Sequence, residues 1–322
     1  MTSPLLSHPG AVAGAGVDAP VAAHYGSFNV EQRTLDEGEG FVDLSHRDVV
    51  RIAGPDRLTW LHQLTTQAFE ELQPGVWTSA LVLSPQGHVE HFFNGVDDGE
   101  AFTAWTEPGA GEALIGFLER MRFWSDVTIT AEPLATVWRP STGYAFIAPD
   151  QLEAFAAAAG PACGLWAFEA LRIARGEPRF GLDTDHRTIP NEVGWLNGYG
   201  VVPAVHLDKG CYRGQETVAR VFTLGRPPRR LTLLHLDGTE NRLPEVGAAL
   251  FDTAPDGGPG REVGRVGTSA RHFELGPIAL ALVKRSVDVS ARLAIASEPG
   301  TMPASQEVVV DPEVGLHVKP RR

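Results

Sequence analysis

Hydrophobic and polar positions follow two periodicities in the first two thirds of the chain, which predicts a mixture of helices and strands. Apolar residues spaced three and four apart share one helix face. This spacing predicts helices at residues 55–64, 112–123, 151–159 and 166–174. Short apolar runs bounded by glycine or proline predict strands at 49–54, 78–84, 88–93, 101–106, 127–130 and 144–148. The order of these elements favours layered α+β architecture over a doubly wound parallel sheet.

The last third of the chain has only short β-type runs, separated by glycine and proline clusters. The runs lie at 231–236, 249–251, 262–268, 278–284 and 292–296. Because no helical spacing competes with them, we expect a small antiparallel barrel or sandwich. A linker at 225–230 precedes it, and its basic cluster is expected to be a solvated crossing. The alternative is that Arg226, Arg229 or Arg230 faces an anionic ligand.

Composition and charge argue against several classes of protein. The chain has 322 residues, 43% of them hydrophobic, and a net charge of −13, which argues against a main role in gripping nucleic acid. No apolar stretch approaches the length of a membrane span. The first 23 residues lack the basic start of a secretory signal. With only two cysteines, a disulfide framework is excluded and a reducing cytoplasm is the expected location.

These patterns predict three parts of the chain. We expect a flexible N-terminal tail over 1–26, an α+β region of two subdomains over 27–224, and a C-terminal β-barrel domain over 225–322.

The densest chemistry lies at residues 207–220. A thiol, two cations, a phenol, an amide, a carboxylate and two glycines occur within eight positions. In an extended segment Lys209, Cys211 and Arg213 would share a face, and two cations beside a thiol would lower its pKa. The following run, 218–222, predicts a short strand. The alternative is a glycine-punctuated turn with a buried cysteine and solvated charges.

The octapeptide Lys-Gly-Cys-Tyr-Arg-Gly-Gln-Glu at 209–216 resembles the hallmark of the YgfZ-type folate-binding proteins. These form a branch of the superfamily of the glycine-cleavage T-protein, an aminomethyltransferase. Weaker similarities begin near residue 24 and include Asp-Leu-Ser at 43–45, Leu-Thr-Thr-Gln at 64–67 and Thr-x-Pro-x-Glu at 188–192. The resemblance implies a multi-domain T-protein-like fold with a central folate cavity and a C-terminal antiparallel β-barrel.

The same resemblance implies a folate-binding accessory protein of iron–sulfur cluster assembly or repair, which supports tRNA modification indirectly. Its cofactor would be tetrahydrofolate or a one-carbon derivative, and its partners iron–sulfur enzymes or assembly proteins. Direct nucleic-acid or membrane binding is not expected. No resident metal site is expected either, because the chain has no C-x-x-C. The expected reactive residues are Cys211 and Lys209, and the expected folate contacts are Tyr212, Arg213, Gln215, Glu216, Arg172 and Glu192.

Two alternatives remain open. One is a tetrahydrofolate-dependent aminomethyltransferase or demethylase, from which the sequence departs twice. The catalytic aspartate of T-proteins is missing after the predicted hairpin, where His91 stands nearest, and Ala174 replaces their pterin-binding glutamate. His91 could titrate near neutrality, but a lone strand histidine is more often structural. The other alternative is a structural or interaction protein whose motif has lost its chemistry.

Overall fold

The structure, a computed structural model, describes residues 2–240, 242–253, 258–297 and 300–318. The chain divides into two compact units. Unit 1 comprises Met1–Leu64, Ala68–Ser79 and His91–Leu171, and unit 2 comprises Thr65–Gln67, Ala80–Glu90 and Arg172–Arg322. The main division at Arg172 differs from the predicted border at residue 225, so the three-part domain scheme stays a prediction.

The strands of the described residues form two open sheets, a small two-stranded sheet and a barrel. In chain order they are β1 (Val12–Ala13), β2 (Ala22–His24), β3 (Phe41–Asp43), β4 (Asp48–Ala53), β5 (Trp77–Leu83), β6 (Val89–Asp97), β7 (Ala101–Thr106), β8 (Thr128–Glu132), β9 (Ala135–Arg139), β10 (Gly143–Ile147), β11 (Ala162–Cys163), β12 (Arg229–Leu236), β13 (Ala249–Thr253), β14 (Pro259–His272), β15 (Gly276–Lys284), β16 (Leu293–Ala296) and β17 (Thr301–Val308). The open sheets have the orders β10-β9-β3-β11 and β5-β6-β7-β4-β8.

The helices agree with the predicted apolar spacing in most places. They are α1 (Phe28–Asp36), α2 (Arg57–Leu64), α3 (Gly111–Arg120), α4 (Leu152–Ala158), α5 (Leu165–Ala174) and α6 (Gln215–Leu224). In α3, for example, Leu114, Phe117 and Leu118 are buried, and the helix packs against β8 and β4. No helix in the described part of the chain combines the length and the apolar character needed to cross a membrane.

The predicted C-terminal barrel is confirmed. Six antiparallel strands close in the order β12-β15-β14-β13-β16-β17. Its apolar core includes Leu234, Val266, Ala281 and Ile295. The pattern predicted five of the six strands and missed β17, whose exposed and buried positions alternate around a proline.

The prediction of a flexible tail is wrong for the described residues of this segment. Short 3-10 turns and strands β1 and β2 occupy it, and Leu5 is fully buried in an apolar cluster with Phe41 and Val137. The hydroxyl of Ser3 donates to the carboxylate of Asp43. Because these are contacts with residues distant in sequence, an irregular Ala- and Val-rich segment gives no local sign of them.

The prediction of a solvated basic crossing at 225–230 is wrong for Arg229 and Arg230, whereas Arg226 is exposed. Arg229 and Arg230 open strand β12, and the side chain of Arg230 is fully buried. Its guanidinium donates to the carbonyl of Lys284 and to Oε1 of Gln306. Burial lowers the pKa of Arg230, with the charge of Asp288 acting in the opposite direction.

Arg229 is held between two carboxylates of unit 2. Its Nε and Nη2 donate to Glu192 at 2.8 Å each, and its Nη1 donates to Asp185 at 2.7 Å. Burial of Asp185 opposes ionisation, but the hydrogen bond and charge of Arg229 outweigh it and hold the pKa of Asp185 well below its usual range. This ion-pair cluster joins the start of the barrel to the loop at 185–192.

We expect Asp185→Asn to lower the free energy of unfolding by about 1–3 kcal/mol at pH 7, because Arg229 loses one of its two carboxylates. The depressed pKa of Asp185 stabilises the fold above about pH 4, and this contribution is lost as the pH falls through the folded-state value. Urea unfolding at pH 7, 5 and 3 should therefore show a difference from wild type that shrinks in acid. Asp150→Asn, at an exposed position, is the matched control. A difference that does not change with pH would contradict the ion-pair assignment.

Candidate functional site

The octapeptide at 209–216 forms a loop that leads into helix α6. Gly214 adopts a left-handed conformation, with φ at +81°, and the helix begins at the next residue. The prediction of a strand over 218–222 is therefore wrong. Val218 and Phe222 are buried while Ala219 and Arg220 are exposed, which is the four-residue spacing of a helix face.

Lys209 anchors this loop from inside unit 2. Its side chain is buried, and Nζ donates to the carbonyl oxygen of Thr65 at 2.6 Å. The ammonium also lies 5.3 Å from the centroid of the Tyr212 ring. A buried ammonium requires such partners, because an unpaired one is strongly unfavourable. Lys209 therefore fixes the position of the loop in addition to any chemical role.

The Leu-Thr-Thr-Gln segment supports the approach to the motif. The hydroxyl of Thr66 donates to the carbonyl of Ala204 at 2.7 Å, and the side-chain amide of Gln67 donates to that of Pro203 at 2.8 Å. In return, the amide of His206 donates to the Thr66 carbonyl. The Leu-Thr-Thr-Gln segment thus holds residues 203–206, which lead into the motif loop.

Two glycines bring the predicted hairpin turn against the start of α6. A Cβ on Gly214 would lie 2.4 Å from the carbonyl oxygen of Ser84, and a Cβ on Gly87 would lie 2.7 Å from Cβ of Thr217. Both glycines also have positive φ angles. Any larger residue would push the turn and the motif apart. The close approach therefore explains why both positions require glycine.

The thiol of Cys211 is exposed, unlike its buried neighbours Lys209 and Tyr212. Arg213 does not lie with Lys209 on one face of a strand, since its guanidinium pairs with Glu90 at 3.2 Å on the half-exposed surface. The prediction that the thiol and the two cations share one face of an extended segment is therefore wrong. The alternative with a buried cysteine is wrong as well.

The other motif residues divide into buried and accessible groups. Tyr212 is buried, and burial raises the pKa of its phenol. Its carbonyl accepts the amide of Gln215, the first residue of α6. Gln215 is half-buried and Glu216 is exposed. The accessible groups next to Cys211 are thus Arg213, Gln215 and Glu216.

Arg172, the first predicted folate contact outside the motif, lies in a buried cluster. Its Nη1 is 3.1 Å from Asp183 Oδ2, and its Nη2 donates to the hydroxyl of Thr268 at 2.7 Å. Thr268 belongs to β14, so the cluster joins Arg172 and Asp183 to the barrel within unit 2. This arrangement gives Arg172 a structural role, and its contact with a ligand stays a prediction.

Glu192, the second such residue, is also buried, and both its oxygens accept from Arg229. It further accepts the amide of Ile189 at 3.2 Å and so caps the short turn that follows the proline. A role for Glu192 in ligand binding stays a prediction as well.

His91 is a poor replacement for a catalytic carboxylate. Burial lowers its pKa to about 4, with a smaller effect from the charge of Arg120. Its ring packs on Phe117 at 5.6 Å. The possibility that His91 titrates near neutrality is therefore wrong, and the structure favours the structural interpretation.

Asn191 is a candidate that the sequence did not single out. Its side chain is 2% exposed, and Nδ2 donates to the carbonyl of Val218 in α6 at 3.2 Å. Its Oδ1 is inaccessible and has no hydrogen-bond partner among the described residues. A buried acceptor without a donor is a feature of ligand sites. Its position between proline and glutamate in the 188–192 segment was the available signal.

The described residues contain no group of three or more His, Cys, Asp or Glu side chains that could hold a metal ion. Of the two cysteines, Cys163 is buried and Cys211 is exposed.

Comparisons with known proteins place this fold. The aminomethyltransferase T of the glycine cleavage system from Bartonella henselae superposes with a TM-score of 0.77 over 97% of this chain and 96% of its own, at 16% identity. At this low sequence identity, the likeness shows that the two proteins share a fold, and nothing further. No family model matches the chain.

Two sequence relatives agree with the structural comparison. A chloroplastic protein of Arabidopsis thaliana, provisionally named as a transferase, is 24% identical over 264 residues, which are 65% of this chain. The tRNA-modifying protein YgfZ of Buchnera aphidicola is 35% identical over 78 residues, 24% of this chain. The chain spans 60% and 23% of the lengths of these relatives. The resemblance to the YgfZ-type branch of the aminomethyltransferase superfamily is confirmed.

We expect Gly214→Ala to destabilise unit 2 by about 2 kcal/mol or more, because the new methyl group meets the Ser84 carbonyl and the residue must keep a positive φ. Thermal and urea unfolding measure this. Gly210→Ala is the matched control in the same motif, because a Cβ there would meet nothing within 4 Å. Equal stability of the two variants would disprove the proposed packing of hairpin and motif.

We expect iodoacetamide at pH 7.5 to alkylate Cys211 at least a hundredfold faster than Cys163. Cys163 is 1% exposed, and burial, followed by the charge of Glu31, raises the pKa of its thiol to about 12. Mass spectrometry of the intact protein over time gives both rates. The Cys211→Ser variant should stay unlabelled until urea unfolds it, and rapid labelling of that folded variant would refute the burial of Cys163.

Proposed function

We propose that this chain is a folate-binding accessory protein of iron–sulfur cluster assembly or repair that acts through Cys211. The observation that carries the proposal is the geometry of the octapeptide. Its lysine and tyrosine are buried and its second glycine is fixed against a hairpin turn, while its thiol stays accessible. A loop braced in this way presents one sulfur atom in a defined position.

The fold and the relatives support the folate part of the proposal. The fold is that of a glycine-cleavage aminomethyltransferase, and 78 residues of the chain are 35% identical to a YgfZ protein. Tetrahydrofolate, when bound, supplies a carrier for a one-carbon unit. Arg213 could bind its glutamate carboxylate. At its ring edge the amide of Gln215 could donate and accept hydrogen bonds, and the carboxylate of Glu216 could accept them.

Asn191 is the buried residue whose unpaired acceptor fits a folate ligand. Its buried, partnerless Oδ1 is an acceptor that could bind a ring N–H donor. The remaining predicted contacts fit less well, because Arg172 and Glu192 already use their polar atoms in ion pairs.

For the iron–sulfur part, Cys211 would act as one ligand to a cluster that is passing between proteins. Clusters of this kind are held by several thiolates, and the other ligands would come from a partner protein. The cluster is then cargo, and tRNA modification would depend on it indirectly. Cytoplasmic location belongs to the same proposal.

The alternative is folate-dependent one-carbon transfer, as the names of two relatives suggest. It would require a different proton acceptor, because burial lowers the pKa of His91 to about 4 and so makes its ring a weak base.

We expect tetrahydrofolate to bind wild type and Cys211→Ala with equal affinity in a calorimetric titration, because the thiol acts after the ligand is bound. Arg213→Met should bind about tenfold more weakly through loss of a charge-assisted hydrogen bond. Arg220→Met, on the exposed face of α6, is the matched control.

The same titrations separate the alternatives. Formation of methylene-tetrahydrofolate from a methylated amine would establish the transferase function in place of the accessory role. Absence of saturable binding to wild type would overturn the folate proposal.

A further inference from the structure

A run of three buried polar residues in unit 1 stands outside the proposed site. Ser45, His46 and Arg47 form the turn between β3 and β4, and each is at most 5% exposed. Five of their side-chain atoms have no hydrogen-bond partner, namely Ser45 Oγ, both ring nitrogens of His46, and Nε and Nη1 of Arg47. Of these, only Nε2 of His46 lies near a carboxylate, at 3.1 Å from Oδ1 of Asp18.

The Arg47 guanidinium lies against a group of aromatic rings. Its central carbon is 3.8 Å from the centroid of the Trp105 ring, and 5.7 Å from those of Tyr144 and Phe168. Cation–π contact favours this position. It does not satisfy the N–H donors, which lie in the plane of the guanidinium.

Arg172, which is buried, and two partly buried arginines of the described chain contrast with Arg47. Arg230 is buried without a carboxylate as well, but its guanidinium donates to oxygens of the protein. Arg57 binds Asp97 through two nitrogens, at 2.7 and 2.8 Å. Arg172 and Arg229 each bind at least one carboxylate. No carboxylate pairs with Arg47 in the residues that the structure describes. A buried cation without a counter-ion destabilises a fold, so packing alone does not explain it.

A second donor without a partner lies next to the guanidinium. Nε1 of Trp105 is inaccessible and makes no hydrogen bond. Tyr144, another of the surrounding rings, belongs to β10, which is the edge strand of its sheet and is half-exposed along its length. The group therefore combines a fixed positive charge, an indole donor and a side that is partly open to solvent.

We propose that Arg47 and Trp105 form a binding site for an oxyanion, a carboxylate or phosphate group carried by a small molecule. The anion supplies the counter-charge that the guanidinium lacks and accepts the hydrogen bonds that its N–H groups do not make. The surrounding rings keep water away and so strengthen the ion pair. This site does not depend on the function of Cys211.

The test is a calorimetric titration of the full chain with two probes, benzoate as the carboxylate and inorganic phosphate. At least one probe should bind saturably to wild type, and the one that binds identifies the source of the oxyanion. Arg47→Met, which keeps the length and packing of the side chain, should weaken that binding at least tenfold. Arg51→Met, four residues further on in β4, is the control and should bind as wild type does.

Stability provides an independent measurement on the same variants. Without ligand, Arg47→Met should melt about 2–4 °C above wild type, because it removes a buried charge that has no counter-ion. Saturating probe should raise the melting temperature of wild type and leave that of Arg47→Met unchanged.

Trp105→Phe extends the test if Arg47→Met does not fold. It keeps a ring against the guanidinium and removes the indole N–H, so it should weaken probe binding. The proposal is overturned if neither probe binds wild type, or if Arg47→Met or Trp105→Phe binds as tightly as wild type.

Discussion

A buried ammonium group controls the geometry of the octapeptide. Lys209 cannot leave its charge unsatisfied in the interior of unit 2, and the carbonyl of Thr65 supplies the partner at 2.6 Å. The loop that follows therefore begins from a fixed point, and Gly214 ends it in a conformation that few other residues could adopt. Between these two constraints Cys211 is exposed to solvent.

The arginines of this protein show that a buried guanidinium can pair either with a carboxylate of the protein or with an anionic ligand. Arg172 and Arg229 were the type of residue that suggests anion binding in a sequence, but both neutralise carboxylates of the protein itself. Arg47 attracted no attention in the sequence, yet its guanidinium is the one that aromatic rings surround without an opposite charge in the described residues. The meaning of a buried cation depends on its neighbours, which sequence distance does not reveal.

The similarity to an aminomethyltransferase extends to the fold but less clearly to the chemistry. The hairpin that carries a catalytic aspartate in T-proteins is present, but here its turn packs against the start of α6. The residue nearest the missing aspartate is a histidine that burial keeps neutral. The same fold can thus carry different side chains, here an accessible thiol on a braced loop.

Local patterns were sufficient for much of this protein. Helical spacing predicted α2, α3, α4 and α5, alternation predicted most barrel strands, and one octapeptide identified the motif and its relatives. The errors share a cause. The 218–222 run is apolar enough for a strand, and only Gly214 and the burial of Val218 and Phe222 made it a helix.

The sequence by itself therefore determined most element types, the barrel and the position of the motif, because these depend on neighbours in the chain. Tertiary structure alone decided which charges are neutralised, which cysteine is exposed and where the N-terminal segment lies. Those outcomes depend on partners far away in sequence, such as Thr65 for Lys209. Burial sets the energy of each such contact, and only the folded chain determines burial.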